Sequence, residues 1–278
     1  MAEKYLRPSF FIIGERKCGT SSLYRYLLDH PQVLPCKIKE PQFFSRSLVH
    51  RLTKRRAYDA LFPEIKGSGP VTLEWLQWLP DGALNKIELS YERPSAGAIT
   101  GEASANTFAQ VPPTRLYKAF PEAKLILLLR DPVSRAFSHY QMYKRFNQEG
   151  RKLPFDLTNF ESDAHREIEE IANEGKSYFM RPGMYDVKLP AWMQCFGDQL
   201  KVIRSEDLSQ PRTANDIMHE LCSFLGIDDY SFLPILGQRF NTSPAESMSA
   251  DARKLLSNFY KNHIRKVEDL LDRQMHWL

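Results

Sequence analysis

The stretch "FFIIGERKCGTSSLYRYLLDH", residues 10–30, decides the fold. Residues 10–13 are apolar throughout and read as a strand; 14–19 are a turn bounded by Gly14 and Gly19; Thr20 begins a helix. A strand–turn–helix of this kind aims backbone N–H groups and the positive end of a helix at an anion. The nucleotide-cradling pattern G-x-x-x-x-G-K-[ST] sets its lysine directly after the second glycine. Here Thr20 follows Gly19, and the lysine stands inside the turn as Lys17. The frame is that of an ATP loop with its cation displaced, and Thr20, Ser21 and Ser22 add hydroxyl donors. The bland alternative is helix capping by Thr20 and Ser21 with Lys17 in solvent.

Outward from that loop, short apolar runs at 98–101, 124–129 and 200–203 read as further strands. "KLILLL" (124–129) is apolar almost throughout, as a strand buried on both faces should be. Helical patterns fill 20–28, 133–146, 164–173, 184–195, 213–225 and 250–275. Strands alternating with helices predict an α/β, P-loop-like three-layer fold: a central parallel sheet flanked by helices, with ligands outside the strands' carboxyl ends. Residues 63–94, rich in Pro, Gly and Trp, read as loop plus short helix. The aromatics of "LEWLQWLP" (73–80) suit the core better than a sugar-stacking role. No linker divides the chain, so 1–278 reads as one domain.

Composition narrows the function classes. The net charge of +4 favours anionic ligands mildly and is too small to demand nucleic acid. No run approaches the length of a membrane span, and the start "MAEKYLRPSF" has no apolar leader core. Cys18, Cys36, Cys195 and Cys222 lack C-x-x-C spacing, and His30, His139 and the other histidines show no ligand grouping, so no metal is expected. Asn241-Thr242-Ser243 is a glycosylation sequon, meaningful only in a secreted chain.

A second anion site follows the buried strand. "LLLRDPVSRAFSHYQMY" puts Arg130 at the strand end and Ser138 two turns into the next helix, a forked, permanently charged clamp for phosphate. Asp131 could imitate a Mg²⁺-binding acid, but Pro132 follows it, which favours Asp131 as a helix cap with proline at the first helical position. Arg130 could instead pair with Asp131 or Glu102. Two anion sites on neighbouring strand ends suit a nucleotide with phosphates at both 5′ and 3′ positions.

"RKCGTSSL" (16–23) followed by "LILLLRDPVSRAFSHY" (125–140) resembles the two cofactor signatures of Golgi carbohydrate sulfotransferases, whose donor is 3′-phosphoadenosine-5′-phosphosulfate (PAPS). "KIKEPQFFS" (37–45), "TGEASANTF" (100–108), "MYDVKLPAWMQCFGDQLKVIRSEDL" (184–208) and "DARKLLSNFYKNH" (251–263) agree in the same order. Within that family, "RKCGTSSL" and "GEAS" are most similar to the branch that 6-O-sulfates N-acetylgalactosamine 4-sulfate in chondroitin or dermatan sulfate. Heparan sulfate sulfotransferases share the layout. The resemblance implies that Arg16, Lys17, Cys18, Gly19, Thr20, Ser21 and Ser22 hold the 5′-phosphosulfate, while Arg130 and Ser138 hold the 3′-phosphate. It implies a sulfated glycosaminoglycan acceptor, no nucleic acid, a Golgi-lumenal setting and a membrane anchor that this sequence does not contain.

Sulfonyl transfer resembles phosphoryl transfer, an in-line displacement governed by positioning and charge stabilisation. Lys17 suits the leaving oxygen as an electrophile. Glu102, after a strand and matching the family's "GEAS" glutamate, suits the role of base to the acceptor hydroxyl, with pairing to Arg130 or helix capping as the structural alternative. Lys39 and Glu40 are expected at the acceptor-side mouth, or else as a solvated charge pair. The family's late basic lid corresponds to 237–247, where Arg239 is the only cation and Asn241 its companion. A P-loop kinase or NTPase and an inactive glycan-binding module are the competing classes.

Overall fold

The structure, a computed structural model, describes residues 4–78, 84–94, 96–238 and 246–277. Strand β1 (Phe10–Gly14) runs into helix α1 (Thr20–Leu27), as the opening stretch predicts. The chain continues through β2 (Val33–Pro35), α2 (Leu48–Asp59) and an antiparallel hairpin, β3 (Val71–Trp78) with β4 (Leu84–Tyr91). Then come β5 (Ile99–Ala103), the short helices α3 (Thr107–Gln110) and α4 (Pro113–Ala119), β6 (Lys124–Leu129) and α5 (Pro132–Gln148). Helices α6 (Phe160–Ala172) and α7 (Leu189–Phe196), strand β7 (Leu200–Arg204), α8 (Pro211–Leu225) and α9 (Ala250–Leu271) complete the order.

Five strands form one parallel sheet in the order β2-β5-β1-β6-β7. Side-chain alternation along each strand builds two cores. Phe10 and Ile12 of β1 pack with Ile126 and Leu128 of β6 against α1 and α8. Phe11 and Ile13 pack with Leu125, Leu127 and Leu129 against α4, α7, Phe43, Phe44 and Tyr58. The result is the expected three-layer arrangement. A third cluster joins α5, α6 and α9 through Ala136, Tyr140, Ala164, Leu256 and Tyr260.

The structure corrects two expectations. Residues 63–94 hold a hairpin rather than a helix, because Val71, Leu73 and Trp75 alternate inward with Thr72 and Glu74 outward. Trp75 is buried, packed on Tyr24 at 6.3 Å between ring centres, as a core tryptophan should be. The run 184–195 breaks into a 3₁₀ turn at Tyr185–Val187 and then α7, whose first turn contains Pro190. The late lid residues 239–245, Arg239 and Asn241 among them, lie outside the described residues.

Candidate active site

The carboxyl ends of β1 and β6 open into a cavity of about 1160 Å³. Its floor is the loop after β1. Gly19 holds φ at +88°, a left-handed conformation that other residues adopt at a cost. Gly14 is needed for space: a Cβ there would meet the Phe108 Cβ at 2.7 Å. Lys17 also has positive φ, at 69°, and the Arg130 guanidinium donates to its carbonyl oxygen at 3.1 Å. The turn is therefore tied to the end of the neighbouring strand.

Arg16, Lys17, Gly19, Thr20, Ser21, Ser22, Arg130 and Ser138 all line this cavity, and Lys39 and Glu40 stand on its wall as well. Burial, with the charges of Arg145 and Arg130, lowers the Lys17 ammonium to about 8. Arg16 is steadied by Asn106, whose side-chain oxygen accepts from its Nε. On the wall, Lys39 donates to Glu40 at 2.5 Å. Burial pushes the Glu40 carboxyl up, but Lys39, Gln42 and Arg16 outweigh that and hold it below its ordinary value. Glu40 is thus a carboxylate kept ionised at the rim of a basic cavity. The hairpin holds this segment, since Glu74 N–H donates to the Lys37 carbonyl at 2.8 Å and Lys39 N–H donates to that of Glu74 at 3.3 Å.

Two residues depart from their expected places. Glu102 does not line the cavity; it is 2% exposed, on the same face of the sheet as its register partner Phe11, beneath Tyr58. Burial pushes its carboxyl up to about 8 against the pull of the Tyr58 and Ser104 hydroxyls, so it is neutral at pH 7. A base inside the core reaches no acceptor. Nor does Glu102 pair with Arg130. The Cys18 side chain also turns inward, its Sγ 3.7 Å from the Tyr185 hydroxyl, and burial first of all raises its thiol to about 12. Cys18 does not line the cavity, and its N–H donates to the Glu15 carbonyl at 3.1 Å, so it shapes the loop from within.

Asp131 caps α5, accepting from the N–H groups of Val133 and Ser134 and from the Ser134 hydroxyl. Its own N–H donates to Glu206 at 2.9 Å. From that capped end, Ser134, Ser138, Gln141 and Arg145 line the cavity. They form one stripe down the helix. Sequence reading found only Ser138 of the four; the helical spacing from the Asp131 cap is the signal that contains the others. Ser205, Arg253, His276 and Trp277 also line the cavity and belong to segments far apart in sequence. His30 and His139 are buried and hydrogen-bonded, His30 Nδ1 accepting from the Gln32 N–H at 3.0 Å. Among the described residues, no three of His, Cys, Asp and Glu gather as metal ligands.

A glycine-hinged loop between strand and helix, on a central parallel sheet flanked by helices, defines a P-loop-like fold. A family model described as "Sulfotransferase family" matches residues 8–231, and the chain belongs to that family. It is similar to a crystal structure of a sulfotransferase from Alicyclobacillus acidocaldarius, with TM-score 0.67, 28% identity and 98% of each chain covered. Mouse carbohydrate sulfotransferase 15 is 29% identical over 95% of this chain and 53% of its own length. Mouse bifunctional heparan sulfate N-deacetylase/N-sulfotransferase 4 is 26% identical over 96% of this chain and 30% of its own. The chain thus spans from under a third to about half the length of these curated relatives. Among the described residues, no helix is long and apolar enough to cross a membrane.

Proposed function

We propose that the chain, as one sulfotransferase domain over 1–278, transfers the sulfonate of PAPS to a glycosaminoglycan hydroxyl. The acceptor position we assign is the 6-OH of N-acetylgalactosamine 4-sulfate in chondroitin or dermatan sulfate, and the setting the Golgi lumen. One observation carries the reading: a single cavity joins Lys17, the three hydroxyls of Thr20, Ser21 and Ser22, the Arg130–Ser138 pair and the ionised Glu40. Its two anion grips fit a donor charged at both ends, which supplies an activated sulfonate on a phosphate leaving group.

Each residue then has a physical task. Backbone groups of Lys17 and Gly19 and the hydroxyls of Thr20, Ser21 and Ser22 bind the 5′ end, with Arg16 alongside. Arg130 and Ser138 bind the 3′-phosphate. Lys17 stabilises negative charge growing on the leaving oxygen, in a site where burial strengthens that attraction. Glu40 accepts the acceptor hydroxyl's proton, and Lys39 orients it and keeps it ionised until then. Glu102 supports this wall from below through Ser104, whose hydroxyl accepts from the Gln42 N–H at 3.2 Å.

An ATP-hydrolysing reading is disfavoured because the carboxylate of Asp131 is engaged in capping α5. A heparan sulfate acceptor is the second reading, supported by the similarity to N-sulfotransferase sequences. The test is incubation with radiolabelled PAPS and a panel of glycosaminoglycans, then disaccharide mapping. Label at the 6-position of N-acetylgalactosamine 4-sulfate is expected. Label confined to heparan sulfate replaces the acceptor, and label on none of the panel removes the reading.

A further inference from the structure

Helix α2 carries a surface that the transfer reaction does not use. Leu48, Val49 and Leu52 are 61%, 70% and 72% exposed. Their i, i+3 and i+4 spacings set them side by side on one face. Among the described residues, the other large apolar side chains with comparable exposure are spread over separate segments, at Ile38, Ile65, Tyr117, Val187 and Leu233. The helix holds to the body by its opposite side, where Tyr58 is buried against Phe43 with ring centres 4.2 Å apart. An apolar knuckle of this kind marks an interaction site.

The helix is basic on balance, with Arg51, Lys54, Arg55 and Arg56 against Asp59. Arg46 and Arg56 are exposed, Arg56 one turn beyond Leu52 on the same face; Lys54 is exposed on another side of the helix, and Arg51 and Arg55 are half-buried. Asp59 is the only acid in the helix, and Arg55 already pairs with it at 2.9 Å. We infer that α2 is a docking surface for an anionic lipid bilayer, its three aliphatics entering the headgroup boundary and its cations meeting acidic headgroups. Apolar side chains on one face with Lys and Arg around them are what such a surface selects.

The rival occupants fit less well. A sulfated polysaccharide would satisfy the cations but offers nothing apolar to cover Leu48, Val49 and Leu52. A second copy docked symmetrically would set one basic helix against another. No residue of helix α2 lines the cavity.

The test is co-sedimentation of the full chain with vesicles of phosphatidylcholine, with or without phosphatidylserine. Binding is expected with phosphatidylserine only, declining as salt rises. Val49→Glu with Leu52→Glu should weaken it about tenfold or more, and Arg56→Glu should weaken it too. Both variants should unfold at the wild-type temperature, since all three side chains are exposed. The inference is overturned if wild type ignores phosphatidylserine vesicles. It is overturned equally if Val49→Glu/Leu52→Glu binds them like wild type, or if that variant dissolves a wild-type dimer seen by analytical ultracentrifugation. Sulfonate transfer does not enter these readouts, so their failure is separate from failure of the proposed reaction.

Discussion

Two glutamates near one wall divide the work by environment. Glu40 sits at the rim with Lys39 on its carboxylate and is held ionised; Glu102 lies beneath it, desolvated and neutral at pH 7. Glu40→Gln should therefore cut kcat about 10²–10⁴-fold, with adenosine 3′,5′-bisphosphate affinity unchanged by calorimetry. Glu102→Gln mimics the neutral acid and should keep most turnover at pH 7. Its effect belongs to stability. The folded carboxyl titrates at about 8 against an ordinary 4.5, so the folded state holds a proton that the unfolded chain releases. Stability is full below about 4.5, falls as pH rises towards 8, and levels off above; Glu102→Gln should flatten that slope in denaturant titrations. Lys17 works in the other direction. Lowered to about 8, it loses its charge in mild alkali, so bisphosphate affinity should fall between about pH 7 and 9, and Lys17→Met should abolish the inflection. The place of Lys17 and Arg130 on the cavity was legible in the sequence, because a strand–turn–helix and a buried strand's end identify their positions. The direction of Glu102 was not: in a strand buried on both faces, nothing in the residue pattern says which side a carboxylate takes.

At the scale of elements, the α5 cap makes the proposed second anion site a consequence of helix formation. Asp131 satisfies two N–H groups of the first turn, and Pro132 needs none, so Arg130 is delivered at a fixed strand end. Asp131→Ala should destabilise the fold by about 1 kcal/mol in denaturant unfolding. The bisphosphate should also bind more weakly, because Ser134 and Ser138 ride on the same helix. Strands β1, β6 and β7 were readable to within a residue or so, since their runs are short, apolar and bounded. Helix α2 was not, because Tyr58 is its one buried residue and its three aliphatics at 48, 49 and 52 do not continue into a second half of the helix. The hairpin was hidden by its own composition: Trp, Pro and Gly suggest a loop, while the period of two in Val71, Leu73 and Trp75 is only three residues deep.

For the whole molecule, the proposed donor site is assembled from the sheet and the proposed acceptor wall from what is attached to its edge. The bisphosphate bridges β1, α1, β6 and α5 in the proposed complex, so it should stabilise the entire fold. At a hundredfold excess over Kd the gain is about 2.7 kcal/mol, or a Tm rise of about 5 °C or more in differential scanning fluorimetry. The other half of the cavity is anchored differently. Lys39 and Glu40 are carried on a segment whose backbone is stitched to Glu74 of the hairpin, an excursion outside the five-stranded sheet. On the proposed function, mutational drift in that excursion would change the acceptor and leave the donor's grip as inherited. One ancestral engine could in this way furnish a lineage of catalysts that differ in what they decorate and share what they consume.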